Sequence, residues 1–102
     1  MKPTDLRDLP DPVLLAAQVL DNGEVMWPAE RATTAIRALA DAKRVVLGLD
    51  VRDYRPDGSF VETAWSSFDP TGDDDVARGR RAALEAMTAE PLPGDWVLVT
   101  WR

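Results

Sequence analysis

Residues 45–51, Val-Val-Leu-Gly-Leu-Asp-Val, constrain this chain more than any other stretch. The run is β-branched and apolar and too short for a separate helix, so it reads as a central strand buried on both faces. Continuation through Tyr54 fits the same pattern. Arg55-Pro56-Asp57-Gly58 follows with the chemistry of a tight turn, proline setting φ and glycine supplying a positive φ. Residues 59–66 then form the antiparallel return strand. Strict alternation along it puts Val61, Thr63 and Trp65 on one face and Phe60, Glu62 and Ala64 on the other.

The flanking segments supply the cover. Asp11-Pro12 reads as a helix start, with residues 13–20 following and Asn22-Gly23 as the stop. Residues 24–27 read as a short extended lead into Pro28, the first-turn proline of a second helix that runs to about Ala42. Ala29, Ala32, Ala35, Ile36, Leu39 and Ala40 share one arc of that helix, and Glu30, Thr34, Arg37 and Asp41 lie opposite. Asp73, Asp74 and Asp75 head a third helix that reaches about Glu90, and residues 96–101 form a strongly β-prone final strand. The order is α-α-β-β-α-β. It predicts a single α+β domain over residues 11–102, with a mainly antiparallel sheet of three or four strands and helices packed on one face. Residues 1–10 are expected to be a loosely held tail.

Composition narrows the function classes. The 102 residues contain neither cysteine nor histidine. Disulfides, thiolate metal sites, thiol nucleophiles and histidine-dependent triads are therefore excluded, and with them the side chain best suited to proton transfer near neutrality. The formal net charge of −6 disfavours a nucleic-acid partner, because backbone binding is driven by Lys and Arg replacing counterions. A basic protein partner suits it better. No apolar run approaches the roughly 20 residues of a membrane span, and the N-terminus has no signal-peptide pattern. A cytoplasmic protein without a cofactor or a metal is the expectation.

Asp69, Asp73, Asp74 and Asp75 lack the spacing of a calcium loop, and helix capping is their simplest role. Asp50 interrupts an apolar strand, and Gly48 removes a side chain from the same face, as though something approaches the backbone there. Arg80 falls on the apolar arc with Val76, Ala83, Leu84 and Met87, where a charge either snorkels to water or pairs with a buried acid such as Asp50. Trp96 and Trp101 read as core or sheet-edge residues, whereas Trp65, near a strand end, is the best candidate for an exposed aromatic anchor. A partner-facing surface is expected to include residues 69–75, with Asp53 and Trp65 joining it if the topology sets them alongside.

The middle of the chain, residues 24–68, resembles immunity protein family 40. The resemblance rests on Trp27-Pro28-Ala29 leading an alanine-rich helix, on Gly48, Asp50 and Val51 of the strand, and on Trp65 after the turn. The family's usual strand motif is Gly-Gly-Asp-Val, and Leu49 stands here in place of the second glycine. The resemblance implies a small cytoplasmic protein that binds and neutralises a cognate toxin of a bacterial polymorphic-toxin system, with no catalysis of its own. The alternatives are a non-catalytic adaptor or regulatory module and, third, a small carboxylate-dependent enzyme.

Overall fold

The computed structural model describes residues 6, 9–68, 70, 72–88 and 94–102. Its elements are α1 (Asp11–Ala16), β1 (Gln18–Val19), β2 (Val25–Pro28), α2 (Ala29–Asp41), β3 (Val46–Tyr54), β4 (Phe60–Ser67), α3 (Asp75–Met87) and β5 (Trp96–Trp101). The strands form one antiparallel sheet in the order β1-β2-β5-β3-β4. The α+β domain of the sequence reading is present, with five strands instead of three or four.

The central hairpin forms as its chemistry dictates. Arg55 N donates to Ser59 O at 2.8 Å, Gly58 N donates to Arg55 O at 3.0 Å, and Gly58 sits at φ 87°. Asp57 Oδ1 accepts from the Ser59 hydroxyl at 2.6 Å and from its amide at 2.8 Å, and both bonds hold the Asp57 carboxyl below its ordinary pKa. β5 inserts between β2 and β3, so the last strand lies in the middle of the sheet and buries Val97, Leu98 and Val99.

The strand beyond that count is β1, and it pairs with β2 through a turn that the sequence reading took for a helix stop. α1 spans Asp11–Ala16 and ends when Ala17 turns extended. Gln18 and Val19 then pair with Met26 and Val25. Asn22-Gly23 joins them as a hairpin: Gly23 adopts φ 88°, Leu20 N donates to Glu24 O at 2.7 Å, and the Asn22 side chain accepts from Glu24 N at 3.0 Å. Asn-Gly is a strong hairpin signal as well as a helix stop, and here sheet pairing wins over helix extension. α1 is also less covered than its apolar sequence suggests, since only Val13 is buried and Leu15 is 86% exposed.

Helices and sheet meet over one core. α2 contributes Ala32, Ala35, Ile36 and Leu39, and the sheet contributes Val25, Trp27, Val46, Leu49, Val51, Val97 and Val99. Small residues on α2 let it lie close to the strands. α3 approaches closely at Gly79, where a Cβ would sit 2.7 Å from the Val46 carbonyl oxygen. α1 is tied down by Trp27, whose buried Nε1 donates to Val13 O at 2.9 Å. The chain enters this core before α1, because Leu9 is buried; the remainder of the expected tail, residues 1–5, 7 and 8, lies outside the described residues.

Candidate functional site: the open face of the sheet

One departure from regular alternation decides which side chains share a face. β3 and β4 pair as Val51 with Ala64 but Arg52 with Glu62, so Thr63 is an extra residue, a β-bulge. A bulge flips every side chain beyond it. Trp65 therefore lies with Phe60 and Glu62 rather than with Val61, reversing the face that strict alternation assigns. The Thr63 hydroxyl donates to Val51 O at 3.2 Å and secures the irregularity.

Cross-strand pairing now builds the face turned away from the core helices. Gln18, Met26, Leu98, Asp50 and Trp65 form one row across all five strands. Along it Met26 and Leu98 are covered, at 5% and 1% exposed, and the face opens only toward the edge strand, through the partly buried Asp50 to Trp65 at 71%. The next row carries Trp96, Arg52 and Glu62, followed by Tyr54 and Phe60. Arg52 is 8% exposed and lies over the Phe60 ring, 4.3 Å from its centroid, with Nη1 donating to Tyr54 Oη at 3.3 Å. Tyr54 in turn contacts Phe60 and Trp96. A stacked guanidinium of this kind keeps its charge while its hydration shell is replaced by aromatic surface.

The electrostatics of this face centre on Asp50. Its carboxyl is pushed above the ordinary aspartate pKa, first by desolvation, then by the negative charges of Glu62 and Glu24 and a hydrogen bond shared with Glu62. Arg52 opposes the shift without cancelling it. Two further carboxylates therefore act on Asp50 against the Arg52 guanidinium, beside an exposed indole. Such a surface favours a cation brought from outside.

The residues singled out from the sequence fall in different places. Asp50 and Trp65 are brought together as paired neighbours, and Trp65 is exposed as expected. Gly48 is explained from within the fold: a Cβ there would approach Ser66 O to 3.0 Å, so what comes close is β4. Val51 is core. Asp53 pairs with Val61 and points to the other face from Trp65, so the topology does not set the two alongside.

Arg80 does not reach Asp50. It is exposed on α3, while Asp50 lies on the sheet face that α3 does not cover. The buried side of α3 runs through Gly79, Ala83 and Met87, displaced by one residue from the arc that apolar side chains suggest. Arg80 lies off that buried side and is exposed, so it needs no buried acid.

The acidic segment is also elsewhere. Asp73 and Asp74 line a hollow of about 420 Å3 together with Asp41, Lys43 and Arg80, so the molecule's own cations share that space. Asp75 pairs with Arg102 at 3.4 Å. Asp74 occupies the N-cap position of α3 but makes no side-chain capping bond, contrary to the expected capping role. Asp69 lies outside the described residues.

Arg52 had no place in the sequence reading, and Glu62, Tyr54, Phe60 and Trp96 were placed there only as strand residues, none of them at a site. The signal was present as alternate residues 50, 52 and 54, polar or aromatic on one side of a strand taken to be apolar on both. Among the described residues, no group of three or more acids is placed to hold a metal ion, and no helix is long and apolar enough to cross a membrane. No protein-family model, curated protein or solved structure matches the chain.

Proposed function

We propose that this protein is an immunity protein that neutralises a cognate bacterial toxin by direct contact, and that the contact is made by the open sheet face around Trp65 and Asp50. The observation that carries this reading is the 71% exposed Trp65 at the end of a row that also holds a partly buried carboxylate. A large rigid aromatic left in water has no folding role to repay its exposure, and tryptophan is among the residues most enriched at binding hot spots. The excess of acids on the face and the net charge of −6 favour a basic partner surface. The resemblance of residues 24–68 to immunity protein family 40 points the same way. In this reading the protein is cytoplasmic, acts by binding and needs no cofactor.

The test is to look for a toxin gene immediately upstream and to co-express its C-terminal effector domain with this protein. Growth should be restored by the wild-type protein. Trp65→Ala should weaken the complex by about 30-fold or more, the effect of a hot-spot residue, with little change in thermal stability. A metabolic or regulatory operon in place of a toxin gene would favour the adaptor reading. Unchanged affinity of Trp65→Ala would remove the open face from the interface.

A further inference from the structure

β4 is an edge strand of 8 residues, whereas the opposite edge, β1, has only 2. Natural sheets protect their edges with short strands, lysines or prolines, because the unpaired backbone is a template for another strand. β1 is protected by its length. β4 is interrupted by the bulge at Thr63, itself an edge-protecting device, but it has no lysine and no proline, its one charged residue is Glu62, and its exposed residues include Phe60, Val61 and Trp65.

The hydrogen-bond register shows which groups face outward. Phe68 N donates to Leu47 O at 2.8 Å, and Gly48 pairs with Ser67, so residues 68, 66 and 64 direct their backbone toward β3. Trp65 and Ser67 direct theirs away. Before the bulge, the bond from Arg55 N to Ser59 O fixes the same alternation, and Phe60 and Glu62 face outward. These four residues also carry their side chains on the open face. A strand added at this edge would form its hydrogen bonds with the residues whose side chains make up the candidate site.

We propose that β4 accepts an extended, basic segment of the partner as a sixth strand, with alternate side chains on the open face beside Trp65 and Glu62. This rests on the protein-binding reading above and specifies how the partner is held. The charge of the occupant follows from the face it joins. Glu62 lies next to the new strand and Asp50 one strand further in, while Arg52, the opposing cation, is held between Phe60 and Tyr54. An acidic strand would add like charges to this cluster. A basic one would relieve them, and its aliphatic stems would cover the indole.

The test uses an 8-residue peptide of alternating lysine and valine, matched to β4 in length, and a peptide of the same composition with the lysines and valines in separate blocks. Amide exchange is followed by NMR. In the free protein the Trp65 and Ser67 amides should exchange fast and those of Ala64 and Ser66 slowly. The alternating peptide should slow Trp65 and Ser67, and the block peptide should leave them fast. Ser67→Pro removes an outward N–H without touching the β3 ladder, and should weaken the alternating peptide about tenfold with an unchanged melting temperature. Equal binding of both peptides without slowing of those two amides would mean attraction by charge alone and overturn the added strand; so would no binding at all. Failure here and failure of the immunity reading are separable. A toxin complex sensitive to Trp65→Ala but indifferent to Ser67→Pro leaves immunity standing and removes the edge. Strand addition by the peptide with no toxin bound leaves the edge standing and removes immunity.

Discussion

Asp50 is paired between Leu98 and Trp65, with desolvation and two neighbouring acids raising its pKa and one guanidinium lowering it. A raised folded-state pKa means that the native state holds the proton more tightly than the unfolded chain does. The sign follows: this group's contribution is fully favourable below its unfolded pKa, near 3.8, and is lost as pH rises through the folded value. Asp50→Asn should therefore raise the melting temperature at neutral pH, and the gain should vanish as pH falls through the carboxylate range. Thermal melts between about pH 7 and pH 3 will show it. In the proposed function the same variant should bind a basic partner more weakly, so stability and affinity would move in opposite directions. Trp27 is the contrasting case, a buried side chain whose polar atom is satisfied at Val13 O. Trp27→Phe leaves that carbonyl unpaired and opens space beside Trp101, and should cost about 1–3 kcal/mol, read from thermal unfolding and faster amide exchange in α1.

Among the elements, α3 shows how a helix can be read correctly near its start and wrongly in face; it ends at Met87, short of the expected Glu90, which lies outside the described residues. Its start near Asp75 follows the acidic run, but its contact side is centred on a residue with no side chain. Hydrophobic patterning weights side chains, so the closest approach to β3, through Gly79, carries no apolar signal, and Arg80 is drawn into the apparent apolar arc. Gly79→Ala tests the contact. Helix propensity alone would favour alanine by about 1 kcal/mol, but the methyl meets backbone at Val46 that cannot turn aside, and overpacking of about 1–3 kcal/mol should win. The expected outcome is a melting temperature lower by several degrees. β4 gives the second case. Deleting Thr63 removes the extra residue and leaves Arg52–Glu62, Val51–Ala64 and Asp50–Trp65 as one regular ladder, so Trp65 should keep its face and its accessibility to iodide or acrylamide quenching. Regular alternation could not place Trp65, because a bulge is fixed by the strain and twist of the paired strands rather than by residue type alone.

Across the whole molecule, the net charge of −6 and the acidic open face should act on encounter before contact. Association with a basic partner should slow steeply between low and physiological salt, while dissociation changes little, as stopped-flow kinetics can resolve. Charge, the lack of cysteine and histidine, the β3–β4 turn, the amphipathic arc of α2 and the final strand are properties of residue types at fixed spacing, and the sequence by itself determined them. The order of strands was not among these. β5 lies between β2 and β3 because pairing partners far apart in the chain are chosen by the joint burial of Val97, Leu98 and Val99, a term with no local signature. The candidate site was decided at the same level. Asp50 and Trp65 could be named from the sequence, but their meeting with Glu62 and Arg52 on one face, and the separation of Asp53 and residues 73–75 from them, depend on a single extra residue in β4 and on which sheet face the helices cover.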